Sequence, residues 1–138
     1  MAGIAEVSVD PGSGKVSINR LTIAMDMGIA VNPMNIKAQI QGSALWGASQ
    51  ILSEKLTMKN GAFEQSNFHE YVPIRLETVP QIDIEIVQSG RHPSGVGEPA
   101  STVVAPAVAN AIFNAVGSRV RQMPITAEAV LAGMKKKA

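Results

Sequence analysis

The sequence predicts an α+β domain, an antiparallel or mixed sheet with two main helices packed on it, and three observations carry that prediction. Apolar and polar residues alternate in Ile4 to Val9 and again from Lys15 to Met25, on either side of the breaker Asp10-Pro11-Gly12-Ser13-Gly14. Between Met34 and Leu52, Ile36, Ile40, Ala44, Gly47, Ala48 and Ile51 recur at helical spacing. A further alternating stretch, Gln81 to Gln88, sets Ile82, Ile84 and Ile86 against Asp83 and Glu85, as in a strand with one buried face.

Taken in order, the first two stretches form a β-hairpin. Asp26-Met27-Gly28 and Asn32-Pro33 then punctuate the chain before the first helix, whose apolar stripe should face the core. Gln39, Ser43, Trp46 and Gln50 fall on a neighbouring face, because three- and four-residue steps return to nearly the same side of a helix. That polar face reads either as solvated surface carrying one amphipathic Trp or as the lining of a cofactor cleft. Gly42, Ala44, Gly47 and Ala48 would admit a second backbone closely under either reading.

Lys55 to Lys59 predicts a short strand, Asn60-Gly61 a tight turn, and Ala62 to Gln65 the returning strand. Ser66 to Tyr71, polar and aromatic without periodicity, belongs to a loop. The strand at Gln81 to Gln88 follows, its partner not readable. Gly90 to Pro99 is the most irregular stretch and requires a loop. Pro106 reads as a first-turn proline of a second helix through Val108, Ile112, Phe113 and Val116, with Gly117 as its left-handed stop. Thr126 then caps a short helix over Ala127 to Met134.

At 138 residues, residues 1–138 make a single domain or domain fragment. A formal net charge of +1 is too even for the broad positive surface that nucleic acid requires, so no nucleic-acid partner is expected. The one charge run, Lys135, Lys136 and Lys137, reads as a solvated tail. The absence of cysteine excludes a disulfide, a thiolate zinc site and an ordinary iron–sulfur cluster held by these residues. No apolar run approaches the roughly 20 residues of a membrane helix, and Met1 to Glu6 lacks the basic start and apolar stretch of a signal peptide.

Among groups able to do chemistry, Glu98 stands out. It lies between Gly97 and Pro99, where glycine allows close approach to a bulky ligand and proline fixes the exit direction. A carboxylate so presented can serve as a base at neutral pH; a plain exposed loop glutamate is the other reading. Gly95-Val96-Gly97 lacks the third glycine and the setting of a dinucleotide fingerprint. His69 and His92 stand 23 positions apart without cysteine companions, and Ser94 beside His92 makes no triad. They are read as surface or hydrogen-bonded side chains, and no metal ligand is assigned.

Gly95-Val96-Gly97-Glu98-Pro99, followed by Ala-Pro-Ala-Val-Ala-Asn-Ala-Ile-Phe from Ala105 to Phe113, resembles the C-terminal part of the molybdopterin-binding large subunit of the xanthine oxidase family. Within that family the look is nearest to the isoquinoline 1-oxidoreductase and aldehyde dehydrogenase branch. Further blocks agree in order: Ala24 to Gly28 with Val31-Asn32-Pro33, Ala38 to Gly42, Gln65 to Tyr71, and Arg119 to Pro124. The resemblance thus spans nearly the whole chain.

It implies hydroxylation of an aldehyde or N-heteroaromatic carbon with water as oxygen donor, using a molybdenum-pterin cofactor in its cytosine dinucleotide form. By carry-over, Glu98 is the catalytic base that takes the proton of the water-derived nucleophile. Gln39 and Ser43 would contact the cofactor from the helix, and Gly95, Val96 and Gly97 would pass close to it. Asn67 to Tyr71 would help form the substrate pocket. Family subunits are several times longer, so the chain is expected to share its cofactor with segments absent here, as a fragment or split-off subunit. Its implied partners are the remainder of that subunit, an iron–sulfur electron-transfer subunit and a small-molecule substrate. The compartment stays open, cytoplasmic or periplasmic. The alternative is a docking module that folds but binds no cofactor alone.

Overall fold

β1 (Ala2–Val9) and β2 (Val16–Asp26) run antiparallel from the pair Ala2 and Ala24 to the pair Val9 and Val16. Their turn is organised by the Asp10 carboxylate, which accepts from the amides of Gly12 and Ser13 at 2.8 Å each. Those two bonds, Ser13 first, hold the Asp10 carboxyl below its usual pKa. The computed structural model describes residues 1–135. Of the Lys135–Lys137 run, Lys136 and Lys137 therefore lie outside the described residues.

A bulge resets the alternation of β2. Glu6 pairs with Arg20 but Val7 with Ile18, leaving Asn19 as the extra residue. Because side-chain direction has period two, the extra residue lets Ile18 and Leu21, three apart, both face the core together with Ile23 and Met25. Gly3, Ala5, Val7 and Val9 of β1 pair with Ile23, Leu21, Ile18 and Val16 on that same face.

On the far side of β2 lies β5 (Gln81–Val87), parallel to it, giving a mixed three-stranded sheet in the order β1-β2-β5. Ile82, Ile84 and Ile86 extend the apolar face beside Leu21, Ile23 and Met25. Between β2 and β5 the chain forms α1 (Pro33–Leu52) and a small separate hairpin, β3 (Met58–Lys59) and β4 (Ala62–Phe63). The hairpin is shorter than its sequence suggested, but Asn60 and Gly61 turn it with positive φ as read.

α1 begins where the Asn32 side chain accepts from the Asn35 amide at 3.1 Å, with Pro33 at the first helical position. It buries Ile40, Ala44, Ala48 and Ile51, each isoleucine contributing about 1.5–3 kcal/mol of hydrophobic stabilisation. α2 (Ser101–Val116) lies across β1 and against α1. Two glycines allow this closeness: a Cβ on Gly3 would come 2.9 Å from Val103 Cγ2, and one on Gly47 would come 3.0 Å from Ser101 Cα. α3 (Ala127–Lys135) starts with the Thr126 hydroxyl accepting from the Ala129 amide at 3.2 Å, and it buries Val130.

The expected start of α2 needs correction. Pro106 is not in its first turn but at its sixth residue, on an exposed position where it offers the Thr102 carbonyl no amide proton. The start is set by Glu98 and Pro99, whose carbonyls accept from the Ser101 and Thr102 amides and again from the Ser101 and Thr102 hydroxyls. The stop is as read: Gly117 is left-handed at φ 71°, and its amide donates to the Phe113 carbonyl.

Candidate functional site

The loop from Ser89 to Glu98 leaves the end of β5 and is stitched to the neighbouring end of β2. One Asp26 oxygen accepts from the Gly28 amide at 2.9 Å and the Ser89 hydroxyl at 2.7 Å; the other accepts from the Arg91 guanidinium. Arg91 Nε also donates to Ser89 Oγ at 3.1 Å. The Gly28 amide, then Ser89 and Arg91, hold the Asp26 carboxyl at a pKa of about 2. Backbone bonds reinforce the stitch: the Ile29 amide donates to the Arg91 carbonyl at 3.0 Å and the Ser94 amide to the Met27 carbonyl at 2.9 Å. Gly28 permits the approach, since at φ 80° a Cβ there would stand 2.3 Å from the His92 carbonyl oxygen.

The other end of the loop is fastened to α1. Ser43 is buried, and its hydroxyl donates to the Glu98 carbonyl at 2.7 Å while accepting from the Ser101 amide at 2.9 Å. Helical spacing put Ser43 on the polar face with Gln39, Trp46 and Gln50, and those three are indeed exposed. Ser43 instead lies beneath the start of α2, both hydrogen-bonding roles of its hydroxyl committed within the chain.

Between these anchors, Gly95, Val96 and Gly97 span the gap. Val96 packs against the core, while a Cβ on Gly95 would meet nothing within 4 Å. Gln39 stands beside the loop, its Nε2 3.7 Å from where a Cβ of Gly97 would be. The amides of Gly95 to Glu98 and the Gln39 carboxamide have no hydrogen-bond partner among the described residues. Glu98 is exposed, and its carboxylate likewise makes no hydrogen bond or ion pair among them.

Glu98, Gly95 and Gly97 open onto a solvent-exposed depression of about 770 Å³ whose opposite wall is Trp46 and Gln50. Val96 and Gln39 line a second hollow of about 260 Å³ with Ile29 and Val31. The loop is the wall between the two. The structure thus brings Gln39, Gly95, Val96, Gly97 and Glu98 together, with Ser43 under them. Asp26, Ser89 and Arg91 were missed in the sequence: no periodicity or short motif links positions that far apart.

The Ser66–Tyr71 loop does not line the Glu98 depression. The Glu70 carboxylate closes it by accepting from the Ser66 and Asn67 amides, which lowers its pKa, Ser66 first. Phe68 is left 97% exposed at its tip. Tyr71 donates a short hydrogen bond to the Glu54 carboxylate, which raises the phenol's pKa. A hollow shared by Tyr71 and Gln50 adjoins the depression. Among the described residues no three His, Cys, Asp or Glu side chains gather as a metal-ligand set, and no helix is long and apolar enough to cross a membrane.

A run of unpaired amides and an exposed carboxylate thus share one loop, with the unpaired Gln39 carboxamide beside it on α1. Residues 1–80 match the family model described as the molybdopterin cofactor-binding domain, and the chain belongs to that family. That match includes Gln39 and Ser43 but stops short of the Glu98 loop. Relatives span both parts. The chain is 46% identical over 132 residues to the membrane-bound aldehyde dehydrogenase [pyrroloquinoline-quinone] of Gluconacetobacter polyoxogenes, covering 96% of this chain and 17% of that protein. It is 32% identical over 136 residues to the isoquinoline 1-oxidoreductase subunit beta of Brevundimonas diminuta, covering 99% of this chain and 17% of that one. The crystal structure of quinoline 2-oxidoreductase from Pseudomonas putida 86 superposes with a TM-score of 0.84 at 22% identity, over 94% of this chain and 18% of that one, a likeness of fold. The α+β architecture and the family resemblance expected from the sequence are both borne out, and the chain spans about a sixth of these relatives.

Proposed function

We propose that the chain forms one wall of the molybdenum-cofactor cleft of an oxidoreductase that hydroxylates an aldehyde or N-heteroaromatic substrate, with water as oxygen donor and Glu98 as base. The observation that carries this reading is the run of unpaired amides from Gly95 to Glu98 beside an unpaired carboxylate on an open depression, with the unpaired Gln39 carboxamide in the hollow on the other side of the loop. The names of the relatives, an aldehyde dehydrogenase and an isoquinoline oxidoreductase subunit, support the substrate classes.

The residues present fit such a cofactor. Its pterin and phosphate oxygens are acceptors, and consecutive backbone amides with a primary carboxamide are donors that carry no charge to neutralise. Gly95 and Gly97, with no side chains, leave room for a bulky ring system at the loop backbone. Gln39, Gly95, Val96 and Gly97 would hold the cofactor, in its cytosine dinucleotide form. Ser43 serves through the loop it fastens. When bound, the cofactor supplies the two-electron oxidation. Glu98 then has one task, to accept the proton of the water-derived nucleophile as it attacks the substrate carbon. Trp46 across the depression offers an apolar face to a flat substrate. The electrons leave through an iron–sulfur partner subunit, and the remainder of the large subunit closes the cleft.

The test is metal and cofactor analysis of the full-length subunit co-produced with its iron–sulfur partner. The reading expects molybdenum and pterin fluorescence in the completed assembly. Pyrroloquinoline quinone, which one relative carries in its name, is assayed in the same preparation. Quinone without molybdenum would overturn the reading, as would an assembly containing neither.

A further inference from the structure

The Glu98 carboxylate makes no hydrogen bond or ion pair among the described residues, so its place is set chiefly through its backbone. That backbone is held from two different elements. At the near side, Asp26 at the end of β2 gathers the Gly28 amide, the Ser89 hydroxyl and the Arg91 guanidinium, and Met27 accepts from the Ser94 amide. At the far side, Ser43 in the middle of α1 holds the carbonyl of Glu98 itself. Only Gly95, Val96 and Gly97 lie between Ser94 and Glu98. Two of these are glycines, Gly95 with nothing within 4 Å of where a Cβ would be, and glycine backbone by itself is loosely held.

We propose that Asp26 and Ser43 are positioning residues for Glu98, Asp26 by clamping Ser89 and Arg91 to the end of β2 and Ser43 by holding the Glu98 carbonyl. The two anchors turn a glycine loop into a taut span, and the carboxylate inherits its place from the sheet and from α1 together. Asp26 stays ionised throughout the neutral range, so the clamp does not loosen with ordinary changes of pH. Ser43 is chemically suited to its part: one small hydroxyl donates to the loop and accepts from the first amide of α2, so loop and helix start move as one body. Neither residue is a catalytic residue, since each acts through the backbone of another.

This inference rests on the reading of Glu98 as base, and the experiment separates the two. In the full-length subunit assembled with its partner, Asp26→Ala, Asp26→Glu, Ser43→Ala and Glu98→Gln are compared for molybdenum content, kcat, KM, and amide hydrogen exchange of peptides covering residues 89–101. A misplacement on the order of 1 Å costs up to about a hundredfold in rate. Asp26→Ala and Ser43→Ala are therefore expected to lower kcat about ten- to a hundredfold, with KM and molybdenum content little changed. Exchange should rise about tenfold or more at Ser94 and Ser101, the hydrogen-bonded amides within 89–101, and not elsewhere in the chain, since a freed loop opens locally rather than with the whole fold. Asp26→Glu, which keeps the carboxylate, should recover most of both effects. Glu98→Gln should lower turnover by about two to four orders of magnitude and leave exchange as in the wild type.

Wild-type exchange and kcat in both alanine variants would overturn the positioning role, as would exchange rising equally across the whole chain. Unchanged turnover in Glu98→Gln would overturn the base reading instead, while the exchange data still decide whether Asp26 and Ser43 hold the loop.

Discussion

Replacing Gly28 by alanine strikes the point where β2 meets the Glu98 loop. The residue sits at φ 80°, where an L side chain costs about 1–2 kcal/mol. The new Cβ would also stand 2.3 Å from the His92 carbonyl oxygen and 2.5 Å from that of Arg91, against 3.4 Å for ordinary contact. Both obstacles are backbone, so the loop must retreat by about 1 Å, the difference between 3.4 and 2.3 Å. That retreat strains the bonds from Ile29 to Arg91 and from Ser94 to Met27, each contributing about 0.5–1.5 kcal/mol. The expected loss is about 3 kcal/mol, or roughly 10 °C in thermal midpoint for a chain of this size. Urea and thermal denaturation followed by circular dichroism measure it. Gly42→Ala is the internal control: it lies within α1 with nothing within 4 Å of its Cβ, and it should stabilise by about 0.5–1 kcal/mol. A Gly28→Ala chain within about 0.5 kcal/mol of wild type would refute the account of how the loop is seated.

Three further outcomes follow from groups outside the loop. Ser118 is fully buried with its hydroxyl unpaired among the described residues, so Ser118→Ala should raise stability by about 1 kcal/mol in the same denaturation assay. Gly133→Ala, whose Cβ would come 2.0 Å from Ser118 Oγ, should destabilise wild type and cost less in the Ser118→Ala background. Tyr71 is the one tyrosine, so ultraviolet titration reads it alone. Its folded pKa is raised above 10.0 by its bond to Glu54; the contribution is therefore complete below that ordinary value and lost as pH rises through the folded one. Glu54→Gln should move the titration back toward 10.0, and an unmoved curve would show that the bond does not form.

Local patterns made much of the fold legible. Alternation found β1, β2 and β5, and the helical stripe found α1, because each of these elements buries one face and writes that face into its sequence. Parallel pairing of β5 with β2 has no local signature, since residues 27–80 intervene and the register is set by packing on α1 and α2. The start of α2 was misplaced because Pro106 carried the stronger sequence signal. The real start depends on Ser101 and Thr102 hydroxyls bonding back to Glu98 and Pro99, a geometry that exists only once the loop is seated on Ser43. Gln39 and residues 95–98, grouped from the sequence into one candidate site by resemblance, do lie side by side. Ser43 was read on the right helix but facing outward; the small residues Ala44 and Gly47 near it were the signal that another backbone would cover it. Asp26 and Arg91 could not be paired at all, since an ion pair across 65 positions leaves no trace in one sequence.

Glu98 is proposed as a base on a loop that otherwise serves to hold a molybdenum cofactor. Steady-state turnover of Glu98→Gln in the full-length assembled enzyme, measured beside its molybdenum content, tests it directly. The amide is nearly isosteric but cannot accept the proton, so turnover should fall by about two to four orders of magnitude while molybdenum stays bound at the wild-type level. Wild-type turnover with molybdenum retained would contradict the claim.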